Sequence, residues 1–167
     1  MFEIDDIILH PASGVCKIED IREESFSKCD KKIYYVMHPI NDHLKSTIFV
    51  PVDSEKVNLR APLTEEEIID MIEKSSDFAI KWIDNVHSRK TVFSQILYSE
   101  DNSKIISLIR KLNEKKEEVL EKGKKFSVID EKILKDAEKK VGQEFSYSLS
   151  LNEEEVKDYI LEHIIEV

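Results

Sequence analysis

Glycine is scarce in this sequence, with three among 167 residues. A phosphate-binding loop needs several glycines close together, so the nucleotide sites that depend on such loops are excluded. The catalytic motifs G-x-S-x-G and H-E-x-x-H are missing as well. Carboxylates are plentiful, but they lie at helix starts and on polar faces, which is the ordinary pattern of solvated side chains. We therefore expect no enzymatic activity and no cofactor.

Cysteine is equally scarce, since Cys16 and Cys29 are the only two. Two cysteines in a chain of this length do not make a disulfide framework, and in a reducing cytoplasm they would be free thiols. Together with His10, His38 and His43 they suggest a zinc hypothesis. None of the five falls in a C-x-x-C or H-x-x-x-H pair, however, so the sequence predicts no metal site.

Long apolar runs are also missing, and none approaches the roughly 18–20 residues that a membrane-spanning helix needs. The first residues, MFEIDDIILHP, lack the basic start of a secretory signal. Apolar residues make up 41% of the chain and charged residues 36%, a composition typical of globular proteins. We expect a cytoplasmic monomer without membrane contact.

The net charge is −10, but it is unevenly distributed. Residues 81–125 are the only basic segment, with eleven basic and seven acidic side chains. An acidic chain is repelled by nucleic acid at long range, which disfavours generic DNA binding. The basic segment could still contact phosphates locally if another interaction brought the protein to DNA.

Residues 1–62 have the pattern of short strands separated by turns. The predicted strands cover residues 7–9, 15–21, 33–37 and 47–50, with proline, Ser-Gly or Asn-Asp turns between them. Four such strands predict a small antiparallel barrel or curled sheet. An uncovered edge of that sheet could accept a strand from a partner.

After Pro62 the pattern becomes helical. Thr64 and Glu67 form a capping box, in which each side chain binds the backbone N–H of the other residue. A second helical run covers about 77–97, and a third helix is predicted from Asp101 or Asn102 to about Gly123. Ser127 with Asp130 predicts the cap of a fourth helix. Asn152 predicts the cap of a fifth, ahead of the apolar residues Val156, Tyr159, Ile160, Ile164 and Ile165. Five amphipathic helices are enough for one domain. The predicted fold is α+β, with a β domain over 1–62 and an all-α domain over 63–167.

The first half contains the segments FEIDDIILHPASGVCKIEDI, YYVM and STIFVPVDSEKVNLRAPLTEEEI, with Pro11, Gly14, Val15 and Ile18 the most telling residues beside VPVD at 50–53 and VNLR at 57–60. These segments resemble the CarD family. The helical half continues with KWIDNVHSRKTVFSQIL and later segments. The first module also occurs in the bacterial transcription-repair coupling factor. Because the resemblance covers nearly the whole chain, it favours a stand-alone CarD-like protein over a repair translocase.

The resemblance implies a transcription regulator. A Tudor-like β barrel would bind the RNA polymerase β subunit, partly through an exposed strand. The helical domain would contact promoter DNA through phosphates and the minor groove at the upstream edge of the melted bubble, where a tryptophan wedge stabilises the open complex, often at ribosomal RNA promoters. The implied polymerase-binding residues are Glu24, Ser25, Phe26, Thr47, Ile48 and Phe49. The implied DNA-binding residues are Trp82, Arg89, Lys90, Lys81, Lys124 and Lys125.

Trp82 is the only tryptophan and lies at the matching position. In a helix over 77–97 it falls beside the apolar stripe that contains Ile83 and Phe93, so periodicity alone favours a core or half-buried side chain. The resemblance instead favours a wedge between bases, where stacking offsets the cost of unstacking. For the lysines the alternative is a solvated helix face with i,i+4 ion pairs, such as Glu118 with Lys122.

Three residues depart from the family pattern. Asp5 and Cys16 stand where glycine is usual, and His10 stands where an aromatic residue is usual. Non-glycine residues at Asp5 and Cys16 predict that neither position requires a positive φ. The arginines that some members carry on the polymerase-facing surface are missing too, so partner binding would depend on backbone pairing and apolar contact.

Two function classes remain open at this point. The first is a regulator that contacts polymerase and DNA together. The second is a protein-interaction adaptor without direct DNA contact, in which Trp82 belongs to the core and the helices bind another protein.

Overall fold

The computed structural model describes residues 1–163, and the chain divides into two compact units, Met1–Leu63 and one that begins at Thr64. Within the described residues the first unit contains a four-stranded antiparallel sheet and the second contains five α-helices. The fold class is therefore α+β. The division lies one residue beyond the predicted boundary.

The sheet contains β1 (Ile7–His10), β2 (Gly14–Ser27), β3 (Asp30–Pro39) and β4 (Ile48–Pro51) in the order β1-β2-β3-β4, and every neighbouring pair is antiparallel. The β2–β3 hairpin is much longer than predicted. The sequence prediction stopped short because the outer part of the hairpin contains mostly polar residues without apolar alternation. Contacts between the two strands stabilise it instead, among them the edge-to-face pair of Phe26 with Tyr34, whose ring centroids are 5.1 Å apart. The Nζ of Lys31 lies 3.3 Å from Glu23 across the two strands.

The predicted barrel is not closed, and the sheet is open. β1 and β4 are its two edges, and in the part of the chain that is described they do not pair with each other. After β4 the chain returns to β1, where Leu9 and Arg60 form a single antiparallel bridge. The N–H of Leu9 lies 2.6 Å from the carbonyl oxygen of Arg60, and the reverse bond measures 3.4 Å. This bridge covers the outer edge of β1.

One face of the sheet forms the core of the first unit. Its buried side chains are Ile8, Cys16, Ile18, Tyr35, Met37 and Val50. Residues before β1 and after β4 complete the packing, among them Phe2, Val57 and Leu59. Both cysteines are free thiols, as predicted, with Cys16 in this core and Cys29 exposed in the β2–β3 turn.

Asp5 corrects one expectation from the sequence. Its φ is 74°, in the left-handed region, so the prediction that this position needs no positive φ is wrong. Aspartate tolerates that region better than most residues. The N–H of Asp5 donates to the carbonyl of Ile18 at 2.8 Å, and its carboxylate pairs with Lys17 at 2.7 Å. At Cys16 the prediction is confirmed, because that residue lies in extended β2.

The helical unit contains α1 (Glu65–Lys74), a short 3-10 helix (Ser75–Asp77), α2 (Val86–Leu97), α3 (Asn102–Glu121), α4 (Val128–Leu149) and α5 (Glu153–Glu162). The predicted capping box of α1 is confirmed: the Glu67 N–H donates to the Thr64 hydroxyl at 3.2 Å, and the Thr64 N–H donates to the Glu67 carboxylate at 2.8 Å. No helix in the described region is long and apolar enough to cross a membrane.

α3 is the central helix of this unit and packs against α1, α2 and α4. It is buried on several sides through Ile105, Ile106, Leu108, Ile109 and Leu112. α5 packs on α4 and begins at the predicted Asn152 cap, whose side chain accepts from the N–H of Glu155 at 2.8 Å. The predicted helical residues Ile164 and Ile165 lie outside the described residues.

The predicted start of α2 is wrong, and the predicted cap of α4 is confirmed in position only. α2 was predicted from about 77, but it begins at Val86 with Asn85 as its N-cap, and residues 78–85 form no helix. Arg89 binds the carbonyls of Ile83 and Asp84, which holds this segment outside the helix. At the start of α4, Ser127 occupies the N-cap position but its side chain makes no cap hydrogen bond. The Asp130 carboxylate, expected to support that cap, binds Arg89 instead.

Candidate partner and nucleic-acid interfaces

The outer edge of β4 is the open edge of the sheet. The N–H of Val52 donates to the carbonyl of Ile33 at 3.0 Å. Because bonded and non-bonded positions alternate along an antiparallel strand, Ile48 and Val50 also direct their backbone groups toward β3. Thr47 and Phe49 direct theirs away from the sheet. Pro51 follows without an N–H, so this edge is short.

Three aromatic rings lie on the sheet face opposite the core. Phe26, Tyr34 and Phe49 meet edge to face, with ring centroids 5.1 Å apart for Phe26–Tyr34 and for Phe26–Phe49 and 6.4 Å apart for Tyr34–Phe49. The guanidinium carbon of Arg22 lies 5.8 Å from the Phe49 ring centroid. Phe26 occupies a register shift between Ser25 and Ser27 and remains 64% exposed. Such bulges redirect side chains. We call these three residues the aromatic surface.

The other predicted polymerase-binding residues differ in what they offer. Glu24 is ion-paired with Arg22 at 2.7 Å, and Ser25 donates its hydroxyl to the carbonyl of Ser27. Thr47 is exposed just before β4. Ile48 is different, because its side chain packs against the core cluster and its backbone groups face β3. The structure therefore gives Ile48 a packing role, and its assignment as a contact residue stays a prediction.

Trp82 lies in the non-helical segment before α2 and is half-buried. Its ring meets the buried Phe93 edge to face, with centroids 6.0 Å apart. The guanidinium carbon of Arg89 lies 4.2 Å from its centroid, and Lys115 Nζ lies 5.4 Å away. Within residues 1–163 the indole N–H has no hydrogen-bond partner. The ring is thus supported by packing, while its polar group is left for solvent or a partner.

The Arg89 guanidinium is buried, whereas a phosphate contact would require it to be exposed. The Arg89 side chain is 5% exposed and that of Asp130 is 2% exposed. Nε and Nη2 of Arg89 donate to the two carboxylate oxygens of Asp130 at 2.9 and 2.7 Å. A phosphate could reach this guanidinium only by breaking a buried ion pair, which is costly. The structure therefore corrects the expectation that Arg89 contacts DNA.

The remaining predicted lysines are available for phosphate contacts. Lys81, Lys90, Lys124 and Lys125 are exposed, and none forms an ion pair with a described residue. Other lysines of the basic segment are engaged, with distances of 3.2 Å for Lys111–Glu114, 2.8 Å for Lys115–Glu118, 2.9 Å for Lys116–Glu131 and 3.1 Å for Lys122–Glu118. The predicted i,i+4 pair of Glu118 with Lys122 is confirmed. Hydrogen bonds from Lys115 and Lys122 lower the pKa of Glu118 to about 2.

The connection between α3 and α4 carries two of these free lysines. Gly123 adopts a φ of 69° after the end of α3, and the N–H of Lys124 donates to the carbonyl of Val119 at 3.0 Å. This confirms Gly123 as the predicted helix terminator. Lys124 and Lys125 follow at once and precede Asp130 by six and five residues. The connection that carries these lysines thus leads into the first turn of α4, which contains Asp130, the ion-pair partner of Arg89.

Sequence reasoning missed residues that shape both surfaces. Tyr34 completes the aromatic surface but looked like an ordinary strand residue. Asp130 anchors Arg89 but resembled a helix-cap acid, and Lys115 contacts Trp82 but resembled any solvated lysine. No local sequence signal distinguishes these roles. Across residues 1–163, no three His, Cys, Asp or Glu side chains are grouped so that they could hold a metal ion.

An open sheet edge beside the aromatic surface, of which Phe26 is the exposed member, is an arrangement typical of protein-binding modules. Residues 2–62 match the family model described as the CarD-like/TRCF RID domain. The N-terminal unit therefore belongs to this CarD-like domain family, which confirms the resemblance for that part of the chain, and the match indicates interaction with RNA polymerase. It ends before the helical unit. No curated protein matches the chain.

Proposed function

We propose that this chain is a non-enzymatic, cytoplasmic transcription regulator that acts as a monomer. Its sheet binds the RNA polymerase β subunit, and its helical unit contacts promoter DNA at the upstream edge of the bubble and stabilises the open complex, with ribosomal RNA promoters among its targets. The match of residues 2–62 to the RID domain is the observation that carries this proposal. The helical contacts rest on the family resemblance and on the surroundings of Trp82.

The polymerase-binding edge in this proposal is β4. Of the two sheet edges, β1 is already covered by the bridge between Leu9 and Arg60, whereas Thr47 and Phe49 direct backbone groups outward. We interpret the first unit as a Tudor-like barrel left unclosed at β4. A strand of the polymerase would add to this edge by backbone pairing.

The aromatic surface supplies the side-chain part of the polymerase contact. Phe26 protrudes farthest, and Phe49 belongs both to this surface and to the β4 edge. Exposed aromatic side chains are favoured at interface centres because they bury a large area with little loss of conformational freedom. The sequence predicted no arginine on this surface, but Arg22 lies beside these rings, with its guanidinium carbon 5.8 Å from the Phe49 centroid.

The DNA contact in this proposal is centred on Trp82. Its ring is supported from within by Phe93 and Arg89, and its indole N–H is uncommitted within the described residues. The unpaired Lys81 is its neighbour in the chain. An aromatic wedge supported by phosphate contacts can bind the minor groove with little sequence specificity.

A second function remains a candidate because Trp82 is half-buried. Its contacts with Phe93, Arg89 and Lys115 are also those of a packing residue at the margin of a core. In that case the chain is a protein-interaction adaptor without direct DNA contact. The two functions differ in what happens to promoter DNA when Trp82 is removed.

The polymerase contact is tested with Phe26→Ala in the full chain. Because Phe26 is 64% exposed, the variant should fold normally and bind the isolated β subunit more weakly. Tyr98→Ala is the matched control, since Tyr98 is an exposed aromatic residue of the helical unit. Equal binding by both variants and the natural chain would remove the aromatic surface from the proposal.

The DNA contact is tested with Trp82→Ala by following the lifetime of promoter open complexes. Base stacking is worth about 1–3 kcal/mol, which corresponds to a shortening of about 5- to 150-fold. Binding to the β subunit should be unchanged. Thermal unfolding of the free variant must accompany the assay. An unchanged lifetime in a folded variant, or a loss that follows stability alone, would favour the adaptor.

A further inference from the structure

The Arg89 side chain connects three parts of the helical unit. Nε and Nη2 bind Asp130 in the first turn of α4, while Nη1 donates to the carbonyls of Ile83 at 2.6 Å and Asp84 at 3.2 Å. The same guanidinium lies 4.2 Å from the centre of the Trp82 ring. One buried cation thus fixes both the indole and the two peptide groups that follow it.

The segment that carries Trp82 needs such a support. Residues 78–85 contain no helix or strand, so no regular backbone hydrogen bonds hold them in place. Segments of this kind open locally at low free energy unless specific contacts restrain them. The carbonyls bound by Arg89 supply that restraint directly after Trp82. Phe93 then limits the ring from inside the helical unit.

We propose that the Arg89–Asp130 ion pair is a positioning element that holds Trp82 in the orientation in which it contacts DNA. The inference rests on the proposed function of Trp82. Arg89 acts through the indole and touches no phosphate. Asp130 keeps the guanidinium plane fixed, because a two-point carboxylate pair sets its orientation as well as its position.

Two variants separate positioning from folding. Removing Arg89 alone would leave a buried carboxylate, so Arg89→Met is combined with Asp130→Leu, which removes both charges and keeps apolar volume. Arg89→Lys is the second variant: it retains the charge beside Asp130 but lacks the planar fork that also reaches the two carbonyls. If the double variant does not fold, Arg89→Lys alone decides the matter.

The first measurement uses the free protein. Trp82 is the only tryptophan, so the intrinsic fluorescence comes from this ring alone. Both variants should shift its emission to longer wavelength and raise its quenching by acrylamide, while circular dichroism remains native. Lys122→Met, which breaks an exposed ion pair on α3, is the control and should change neither. Unchanged emission and quenching in a folded variant would overturn the inference.

The second measurement is the lifetime of promoter open complexes. Arg89→Lys should shorten the lifetime in the natural background and have no further effect in the Trp82→Ala background, because it acts through that ring. The slope of log affinity against log salt should be the same for the natural chain and for Arg89→Met combined with Asp130→Leu, which lacks the cation. A direct phosphate contact would instead lower the slope by about 0.9, and a general folding defect would shorten the lifetime in both backgrounds. Either result would overturn the inference.

The two proposals fail in different ways. If Trp82→Ala leaves the open complex unchanged, the proposed DNA contact is wrong, and the inference falls with it whatever the fluorescence shows. If Trp82→Ala shortens the lifetime but the Arg89 variants alter neither fluorescence nor lifetime, the DNA contact stands and the positioning role is wrong.

Discussion

Leu9 and Arg60 exchange two backbone hydrogen bonds, and this pair covers the outer edge of β1. The other edge of the sheet, β4, has no strand beside it in the described residues. Uncovered edges are sites for pairing with another chain. The Leu9–Arg60 bridge therefore distinguishes the two edges, because β4 is the edge without backbone pairing among the described residues.

The first prediction concerns that open edge. Thr47→Pro removes an outward backbone N–H without touching the core, and we expect binding to the polymerase β subunit to weaken by about 0.5–1.5 kcal/mol, the usual net contribution of one hydrogen bond. Thr47→Val is the matched control, because it removes the hydroxyl but keeps the N–H. Titration of the full-length variants against the β subunit gives the measurement. Weaker binding by both variants would point to the hydroxyl instead of the backbone.

The second prediction concerns the free lysines. Lys90→Gln and Lys124→Gln should each lower the slope of log affinity against log salt by about 0.9 if each residue contacts one phosphate. The assay is binding of the polymerase complex to promoter DNA at several salt concentrations. Lys139→Gln provides the control, since Lys139 is exposed and unpaired among the described residues but lies outside the predicted set. Three equal slopes would argue against phosphate contacts at Lys90 and Lys124.

The sequence was most informative where structure is decided locally. The capping box at Thr64, the cap at Asn152 and the terminator at Gly123 involve residues within a few positions of one another, so their spacing alone predicts them. The β2–β3 hairpin shows the opposite case. Its outer part is stabilised by the ion pair of Glu23 with Lys31 and by the aromatic contact of Phe26 with Tyr34, and such contacts leave no alternating apolar pattern.

The surroundings of Trp82 could not be predicted for a related reason. Periodicity placed it in a helix, but Arg89 captures the carbonyls of Ile83 and Asp84 and keeps the segment non-helical. The partner that makes this possible, Asp130, lies 41 residues further along the chain. Here a tertiary contact outweighs local helix propensity. Arg89, which the sequence suggested as a phosphate ligand, is buried and packs against Trp82 instead.

The third prediction concerns the stability of that buried pair. Arg89→Met alone should lower the free energy of unfolding by about 3–5 kcal/mol, because the Asp130 carboxylate would remain buried without its partner. Arg89→Met combined with Asp130→Leu should recover most of this loss. Urea unfolding of both variants tests the expectation, with Lys122→Met as an exposed-pair control that should cost about 0.5 kcal/mol or less. A double variant no more stable than the single one would contradict it.

The fourth prediction concerns the two thiols. Cys29 is exposed in the β2–β3 turn and Cys16 is buried in the sheet core. At pH 8 a thiol reagent should modify one cysteine per folded chain, and Cys29→Ser should abolish that reaction.

Burial raises the pKa of Cys16 from 9.0 to about 11. Folding therefore favours the protonated thiol, so its contribution is fully present below pH 9 and is lost as the pH rises toward 11, by about 3 kcal/mol at most. Urea unfolding between pH 8 and 11 measures this loss, and Cys16→Ala should reduce it; an equal pH dependence in Cys16→Ala would assign the loss to other groups.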